Sequence, residues 1–253
     1  MIKFCSLSSG SKGNTAFIEI NGDKYLIDIG NRSIYVESNL KEIGINPKEI
    51  KGIFISHSHK DHIEGLRVFV KKFNPVVYLS KESLEEILKE MSLTNYKLLN
   101  EVEFANFSLT LVPTSHDAKG SFGFIFDDKL NNTLVYITDT GYISEKNLEK
   151  LENKKLYYFE SNHDIELLMN GPYPYYLKQR ILSDRGHLSN ETSAYYLNKI
   201  VGNNTKTVIL AHLSETNNTE ELALKEFNKV LNNHENLNVY VGKQNKRGEL
   251  IEV

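Results

Sequence analysis

His57-Ser58-His59-Lys60-Asp61-His62 gathers three histidines and an aspartate into six residues. All four are strong metal ligands or proton-transfer groups. The apolar run Gly52-Ile53-Phe54-Ile55-Ser56 comes directly before them and, being short, β-branched and aromatic, reads as a buried strand. In an extended exit from that strand, residues two apart point the same way, so His57 and His59 can face one point. Asp61 and His62 then open a helix and project from a different angle toward an adjacent point. Such a geometry suits two metal ions side by side, roughly 3.5–4 Å apart in two-metal hydrolytic sites. The alternative is a polar surface turn that is rich in histidine by chance.

The other histidines speak against chance. Of eight, His57, His59, His62, His116, His163, His187 and His212 fall at or near the ends of expected strands or in the connections after them. Only His234 lies in a solvated helix–loop segment. His116 follows Leu109–Ser115, Asp139 follows Leu134–Thr138, and His212 follows Val208–Ala211. A lone histidine at a strand end is more often a hydrogen-bonded structural residue. Their shared placement, each after a buried run, is what marks a site built on loops at the end of a rigid sheet.

The elements that must position these residues are legible as an alternation of strands and helices. Strands are expected at Ile2–Leu7, Thr15–Ile20 and Lys24–Ile29, with Asn21-Gly22 turning between the second and third. Helices follow near Ile34–Ile43 and His62–Phe73, a strand at Val76–Leu79, and a helix at Lys81–Met91 with Leu84, Ile87, Leu88 and Met91 on one face. A strand-rich middle comprises Leu98–Phe104, Phe107–Val112, Phe122–Phe126 and Leu134–Thr138. Leu156–Phe159, Thr207–Ala211 and Val239–Val241 complete the strands; Ser144–Leu151, Asn190–Val201 and Glu220–Leu231 complete the helices. Ser189 suits an N-cap, with Glu191 in the first turn. Helices in both halves predict sheets covered by helices, an α/β protein.

Bulk properties narrow the class. A chain of 253 residues, 40% hydrophobic and 25% charged, has the composition of an ordinary globular protein with a sizeable core. No linker or composition break divides it, so one domain over residues 1–253 is expected. A net charge of −3 argues against a protein that coats nucleic acid by bulk electrostatics, though not against a nuclease with local cations. The single cysteine, Cys5, rules out an internal disulfide and reads as a small buried hydrophobe. The start Met1–Leu7 runs into strand-like sequence with no signal peptide, and no apolar stretch reaches membrane-span length. A cytoplasmic location without membrane association is the expectation.

The chain resembles the metallo-β-lactamase fold superfamily over nearly its whole length, with H-x-H-x-D-H at His57–His62 as the most specific element. The resemblance implies an αββα four-layer sandwich around a dinuclear centre. It implies His57, His59 and His116 on one metal, Asp61, His62 and His212 on the other, and Asp139 bridging. Asp28, in Leu26-Ile27-Asp28-Ile29-Gly30, matches an early aspartate that orients a ligand histidine. Nitrogen and oxygen ligands without thiolate suit Zn, Mn, Fe or Ni, and the sequence does not choose among them. Two such divalent ions lower the pKa of a shared water and neutralise phosphate oxygens, so that hydroxide can attack. Histidine rather than glutamate at position 59 argues against the redox di-iron branch.

Tyr157–Asn162 ends a strand in Glu160, and Gly186-His187-Leu188-Ser189 follows. The two are similar to the paired Glu and His motifs of the phosphodiesterase branch, which includes tRNA 3′-processing nucleases. By that likeness Glu160 orients His187, which protonates the leaving oxygen. Ser6–Asn14, Glu160–Asp164, Asn170–Pro174, Ser183–Asn190 and Ala211–Ser214 resemble, closer still, the YycJ/WalJ-type subgroup. Its members are regarded as metal-dependent DNA exonucleases working from the 5′ end of duplex DNA, linked to mismatch repair. The expected function is therefore a dinuclear-metal phosphodiesterase, a 5′-to-3′ exonuclease with DNA as its partner. Rivals are a small-molecule hydrolase of a lactone, thioester or cyclic phosphodiester, and a non-catalytic metal-binding partner protein.

Weaker features remain open. The turn Ser8–Asn14 can wrap a phosphate or simply be a tight turn. Tyr173, Tyr175 and Tyr176, with Lys178, Arg180 and Arg185, can contact nucleic acid or cover core. His163 fits no ligand slot in the resemblance; a substrate contact or a supporting role is the expectation.

Overall fold

Period-two alternation along the strands decides the layering. In the computed structural model, which describes residues 1–231 and 236–253, the chain runs through β1 (Ile2–Ser8), β2 (Thr15–Ile20), β3 (Asp23–Ile27), α1 (Ser33–Glu42), β4 (Ile50–Phe54), α2 (Lys60–Ile63) and α3 (Leu66–Phe73). It continues through β5 (Val76–Leu79), α4 (Lys81–Glu90), β6 (Tyr96–Leu98), β7 (Ser108–Pro113), β8 (Phe122–Asp127), β9 (Thr133–Ile137) and α5 (Glu145–Leu151). The last part holds β10 (Leu156–Glu160), α6 (Ile165–Asn170), α7 (Tyr175–Leu182), α8 (Asn190–Ile200), β11 (Thr207–Ala211), α9 (Glu220–Leu231), β12 (Asn238–Val241) and β13 (Ile251–Glu252).

One sheet has the order β13-β1-β2-β3-β4-β5-β6 and the other β12-β11-β10-β9-β8-β7. In β10, Leu156 and Tyr158 join the core between the sheets, while Tyr157 and Phe159 join the outer core under α5, α8 and α9. In β4, Phe54 points into the same inter-sheet core, while Ile53 packs outward with residues of α1, α3 and α4. The result is an αββα sandwich. Phe54 is fully buried among Tyr25, Tyr78, Phe104, Phe107, Phe124 and Phe126. Truncating so enclosed an aromatic to alanine costs about 3–5 kcal/mol.

The strands β3 to β6 are parallel, as are β9 to β12. The carboxyl ends of both parallel blocks meet at one edge of the sandwich, the usual location of sites in such sheets. Among the described residues no helix is long and apolar enough to cross a membrane.

Local expectations fail in several places. The strand expected over Leu98–Phe104 ends at Leu98 and gives way to a 3-10 turn, Leu99–Glu101. Leu99 and Phe104 still reach the inter-sheet core, so the apolar spacing reflects burial without strand pairing. The helix expected over His62–Phe73 is two helices, because the Gly65 N–H donates to the Ile29 carbonyl at 2.9 Å and the chain steps sideways. Helices α6 and α7 have no counterpart in the sequence expectation; α7 contains no buried residue, so it carries no core-facing periodicity. His234 lies outside the described residues.

Candidate metal centre

Three site residues sit one or two positions past a strand end in left-handed backbone: Asp28 at φ 57°, Asp139 at φ 55° and His212 at φ 56°. Such conformations cost L-residues about 1–2 kcal/mol and recur where a site holds the chain under strain. Each turn breaks the strand abruptly and swings the side chain into the gap between the sheets. The strand alternation itself aims Glu160, which shares the parity of Leu156 and Tyr158. Gly30 completes the frame: a Cβ there would stand 1.7 Å from the Asp61 carbonyl oxygen, so no side chain fits between the β3 exit and the ligand loop.

The structure brings His57, His59 and His116 together, with ligand atoms all within 4.8 Å of one another. His116 Nε2 lies 3.2 Å from His59 Nδ1. On its other side, His116 Nδ1 is 3.3 Å from the Gly186 carbonyl, which fixes the proton there and leaves Nε2 a lone pair. His57 is fully buried; its Nδ1 is 3.1 Å from Ser56 Oγ and its Nε2 has no partner. Burial, then the neighbouring His62, holds the His57 pKa well below the usual imidazole range, so it too offers a lone pair.

Asp61, His62, Asp139 and His212 form the adjoining cluster. Asp28 Oδ2 accepts from His62 Nδ1 at 2.8 Å and from Ser56 Oγ at 2.8 Å. Asp139 stands between the clusters, with Oδ2 3.0 Å from His62 Nε2 and Oδ1 3.9 Å from His116 Nε2. Burial lowers the pKa of His62 and His212, yet the carboxylates prevail: Asp139 leads, and His212 is raised to about 10. Asp61 and Asp139 are driven below the carboxylate range, burial being outweighed by His62 for Asp61 and by His212 for Asp139.

These residues fit a bound cation. His57 Nε2 and His212 Nε2 are buried without a hydrogen-bond partner, a rare and costly condition unless an ion satisfies them. Several ligand rings are held from behind by an acceptor that sets the tautomer metal binding needs. The field that favours protons on His62 and His212 favours divalent charge equally. The donor set is compatible with divalent metal ions.

Glu160 ties this centre to His187. Its Oε1 accepts from His187 Nδ1 at 2.8 Å and from His212 Nδ1 at 2.9 Å. Its Oε2 accepts from the backbone N–H of Thr140 at 2.9 Å and of Leu188 at 3.2 Å. Burial raises the pKa of this carboxyl, but His187 and then His212 hold it at about 2. Sequence reasoning linked Glu160 to His187 alone and missed His212. The His187 side chain is 21% exposed and lines a cavity of about 190 Å³ with His116, Tyr173, Arg180 and Arg185.

The sequence marked Asn14 only as the end of a turn that can wrap a phosphate, and Asp117 not at all. Asn14 Nδ2 lies 3.1 Å from His62 Nε2 and 3.3 Å from Asp61 Oδ2, while the Asn14 N–H donates to the Asp61 carbonyl at 2.8 Å. The Ser8–Asn14 turn thus braces the ligand loop. Asp117 Oδ1 stands 3.4 Å from His116 Nε2 and 3.5 Å from His59 Nε2, and Asp117 Oδ2 accepts from Arg180 Nε at 2.8 Å. Its only sequence signal is adjacency to His116.

The proposed contacts divide. Tyr173 and Arg180 stand beside His187. Lys178 does not: its Nζ donates to the Met169 carbonyl at 2.6 Å. His163 is 1% exposed with both ring nitrogens unpartnered, so it has no access to a substrate; burial lowers its pKa to about 4. Tyr175 and Tyr176 cover no core, being 71% and 75% exposed.

An αββα sandwich with two adjoining His/Asp clusters at the carboxyl edge of its strands is the frame of a metal-dependent hydrolase. Residues 9–212 match the model of the metallo-beta-lactamase superfamily. Over 237 residues the chain is 37% identical to the exodeoxyribonuclease WalJ of Streptococcus pneumoniae, covering 87% of this chain and 85% of that one. It is 34% identical over 241 residues to the exodeoxyribonuclease YycJ of Bacillus anthracis, covering 91% and 89%. The solved structure of YhfI from Bacillus subtilis, a metallo-beta-lactamase fold protein, superimposes with a TM-score of 0.72 at 17% identity over 98% of this chain and 100% of that one, a likeness of fold. The chain belongs to the metallo-β-lactamase superfamily and, within it, to the WalJ/YycJ family.

Proposed function

We propose that this chain is a single-domain phosphodiesterase that degrades duplex DNA from 5′ ends in the cytoplasm. The observation that carries it is the Glu160–His187 pair, opening on a cavity beside two ligand clusters. Two relatives that match most of the chain are exodeoxyribonucleases, which supports DNA as substrate. His57, His59 and His116 would hold one divalent ion and Asp61, His62 and His212 a second, with Asp139 available to both; zinc, manganese, iron and nickel all suit these ligands. When bound, such ions supply an acidified water and neutralise phosphate oxygens.

The chain's own residues do the rest. Asp61, charged at neutral pH and open to solvent on one side, orients the attacking water in line with the leaving oxygen. His187 donates its Nε2 proton to the departing 3′ oxygen, with Glu160 fixing the ring and stabilising the imidazolium as the proton is regained. Thioester hydrolysis has less need of such an acid, because a thiolate leaves far more readily than an alkoxide.

The test incubates the protein with Mn, and separately with Zn, on duplex DNA labelled at 5′ or 3′ ends. Metal-dependent release beginning at 5′ ends is expected. Asp61→Ala should lose activity and metal together, whereas His187→Ala should keep metal and slow roughly 10²–10⁴-fold. Absence of cleavage under either metal, or full activity in His187→Ala, would overturn the proposal.

A further inference from the structure

Two cavities flank the ligand clusters and adjoin at Ser11, which lines both. The one behind His187, about 190 Å³, is bounded by Tyr173, Leu177 and Arg180, by Arg185, and by Ser214. The other, about 510 Å³, begins at Asp61 and runs along Lys12, Arg32, Lys60 and Glu64, with Lys12 paired to Glu215 and Lys60 to Glu64. The proton donor therefore stands on the small side and Asp61 on the large one.

This asymmetry assigns direction to a strand. In hydrolysis of the P–O3′ bond, a bond forms from the water oxygen to phosphorus, the P–O3′ bond breaks, and O3′ leaves with the His187 proton. O3′ belongs to the nucleotide on the 5′ side of the scissile phosphate. That nucleotide must lie in the small cavity, and the continuing strand must lie in the larger one. Helix α7 and the Tyr173 segment stand on the far side of the small cavity, where a longer 5′ extension would have to pass.

Cations also point to what the small cavity takes. Arg180 is held against Asp117, through Nε at 2.8 Å. Arg185 is exposed, forms no ion pair among the described residues, and precedes the Gly186-His187 turn. That turn is fixed to the end of α7, with the His187 N–H donating to the Ile181 carbonyl at 3.0 Å and the Gly186 N–H to the Ser183 carbonyl at 2.8 Å. A free guanidinium in rigid register with the proton donor is suited to a terminal phosphate one nucleotide away.

We propose that the cavity between α7 and His187 is a 5′-terminal nucleotide site, in which Arg185 binds the terminal 5′-phosphate and Tyr173 faces the base. The site rests on His187 acting on the leaving oxygen.

The experiment measures kcat/KM of the metal-loaded protein on duplexes identical except for a 5′-phosphate or 5′-hydroxyl end. Wild type should prefer the phosphate by about tenfold or more, the scale of one charge-assisted contact. Arg185→Ala should bring the ratio near one by raising KM on the phosphorylated end, and Arg185→Lys should restore part of it. Fluorescence anisotropy with His187→Ala gives a binding readout, in which the phosphorylated oligonucleotide should bind tighter and Arg185→Ala in that background should remove the difference. Brisk cleavage with no preference, or a preference that survives Arg185→Ala, overturns the terminal site while leaving the exonuclease intact. Cleavage from 3′ ends overturns the 5′-exonuclease reading, and a retained strand with a 5′-hydroxyl overturns proton donation to O3′; either removes the basis of the site.

Discussion

Glu160→Gln preserves shape and removes a charge, and the four hydrogen bonds around it define what must follow. Oε1 serves His187 Nδ1 at 2.8 Å and His212 Nδ1 at 2.9 Å, while Oε2 serves two backbone N–H groups at 2.9 and 3.2 Å. Glutamine has one acceptor end and one donor end. If its NH2 faces the backbone, two buried N–H groups lose their acceptor, at about 1–3 kcal/mol each. If it faces the imidazoles, both rings must carry their proton on Nε2, and His212 loses the lone pair that would hold a metal. In either orientation the imidazolium of His187 loses its counter-charge. We expect metal affinity to fall about 10–100-fold, the scale for a residue behind a ligand. At saturating metal, cleavage should still fall about 10²–10⁴-fold, the general-acid contribution. Titration calorimetry and metal analysis give the first quantity, and single-turnover cleavage across metal concentrations gives the second. A Glu160→Gln protein that binds metal normally and cleaves within a few-fold of wild type would refute the coupling of His212 and His187 through one oxygen.

Three further outcomes follow from the same geometry. Gly30→Ala forces a Cβ against the Asp61 carbonyl and the Asn14 backbone nitrogen, at 1.7 and 2.5 Å, and should cost about 3 kcal/mol along with metal binding; an unchanged urea midpoint with full metal content would contradict it. His212→Gly and His212→Ala should both lose metal, but at φ 56° the metal-free glycine variant should be the more stable by about 0.5–1 kcal/mol, the left-handed penalty less the entropy of glycine; equal midpoints would exclude strain there. Burial pushes the Cys5 thiol up to about 12, against about 8.5 when unfolded, so its contribution to stability is complete below about pH 8.5 and declines as pH rises toward 12; the native thiol should resist iodoacetamide at pH 8.5, and rapid alkylation seen by intact mass would show it accessible.

What the sequence made legible tracks what is local. His57–His62 could be interpreted because a strand, its exit and a helix start lie in one short segment, and strand parity is a local rule. Asp139 and His212 were visible only as polar residues after apolar runs. Their left-handed turns, which aim them, leave no mark, since neither position is glycine. Ser56 was invisible as a site residue and Asn14 was visible only within a turn that can wrap a phosphate, because a hydroxyl and an amide acquire roles only from partners, and Asn14 meets its partner Asp61 from 47 residues away. Asp117 was passed over for the same reason, its guanidinium partner being 63 residues distant. Helix α7 went unseen because periodicity reports a buried face and this helix has none. The false strand at Leu98–Phe104 is the converse, with apolar spacing that met burial but not pairing.

That helix also shows how the fold separates robustness from chemistry. The ligand clusters hang from strand ends whose side chains continue into fully buried cores, so their geometry is held by the sandwich itself. His187 is held differently. Its ring is fixed by Glu160 from the buried side, and its backbone by the end of α7, which has no core of its own. A further anchor of α7 toward the centre is Arg180 on Asp117, beside two ligand histidines. Loosening α7 should therefore change the placement of the proton donor and the terminal cavity together, while leaving the ligands in place. Asp117→Asn is the discriminating change. It should leave thermal stability within about 0.5–1 kcal/mol, since an exposed ion pair contributes little. It should nonetheless lower cleavage more than it lowers metal content. Equal loss of both would mean that Asp117 belongs to the metal cluster and not to the wall that holds Arg180.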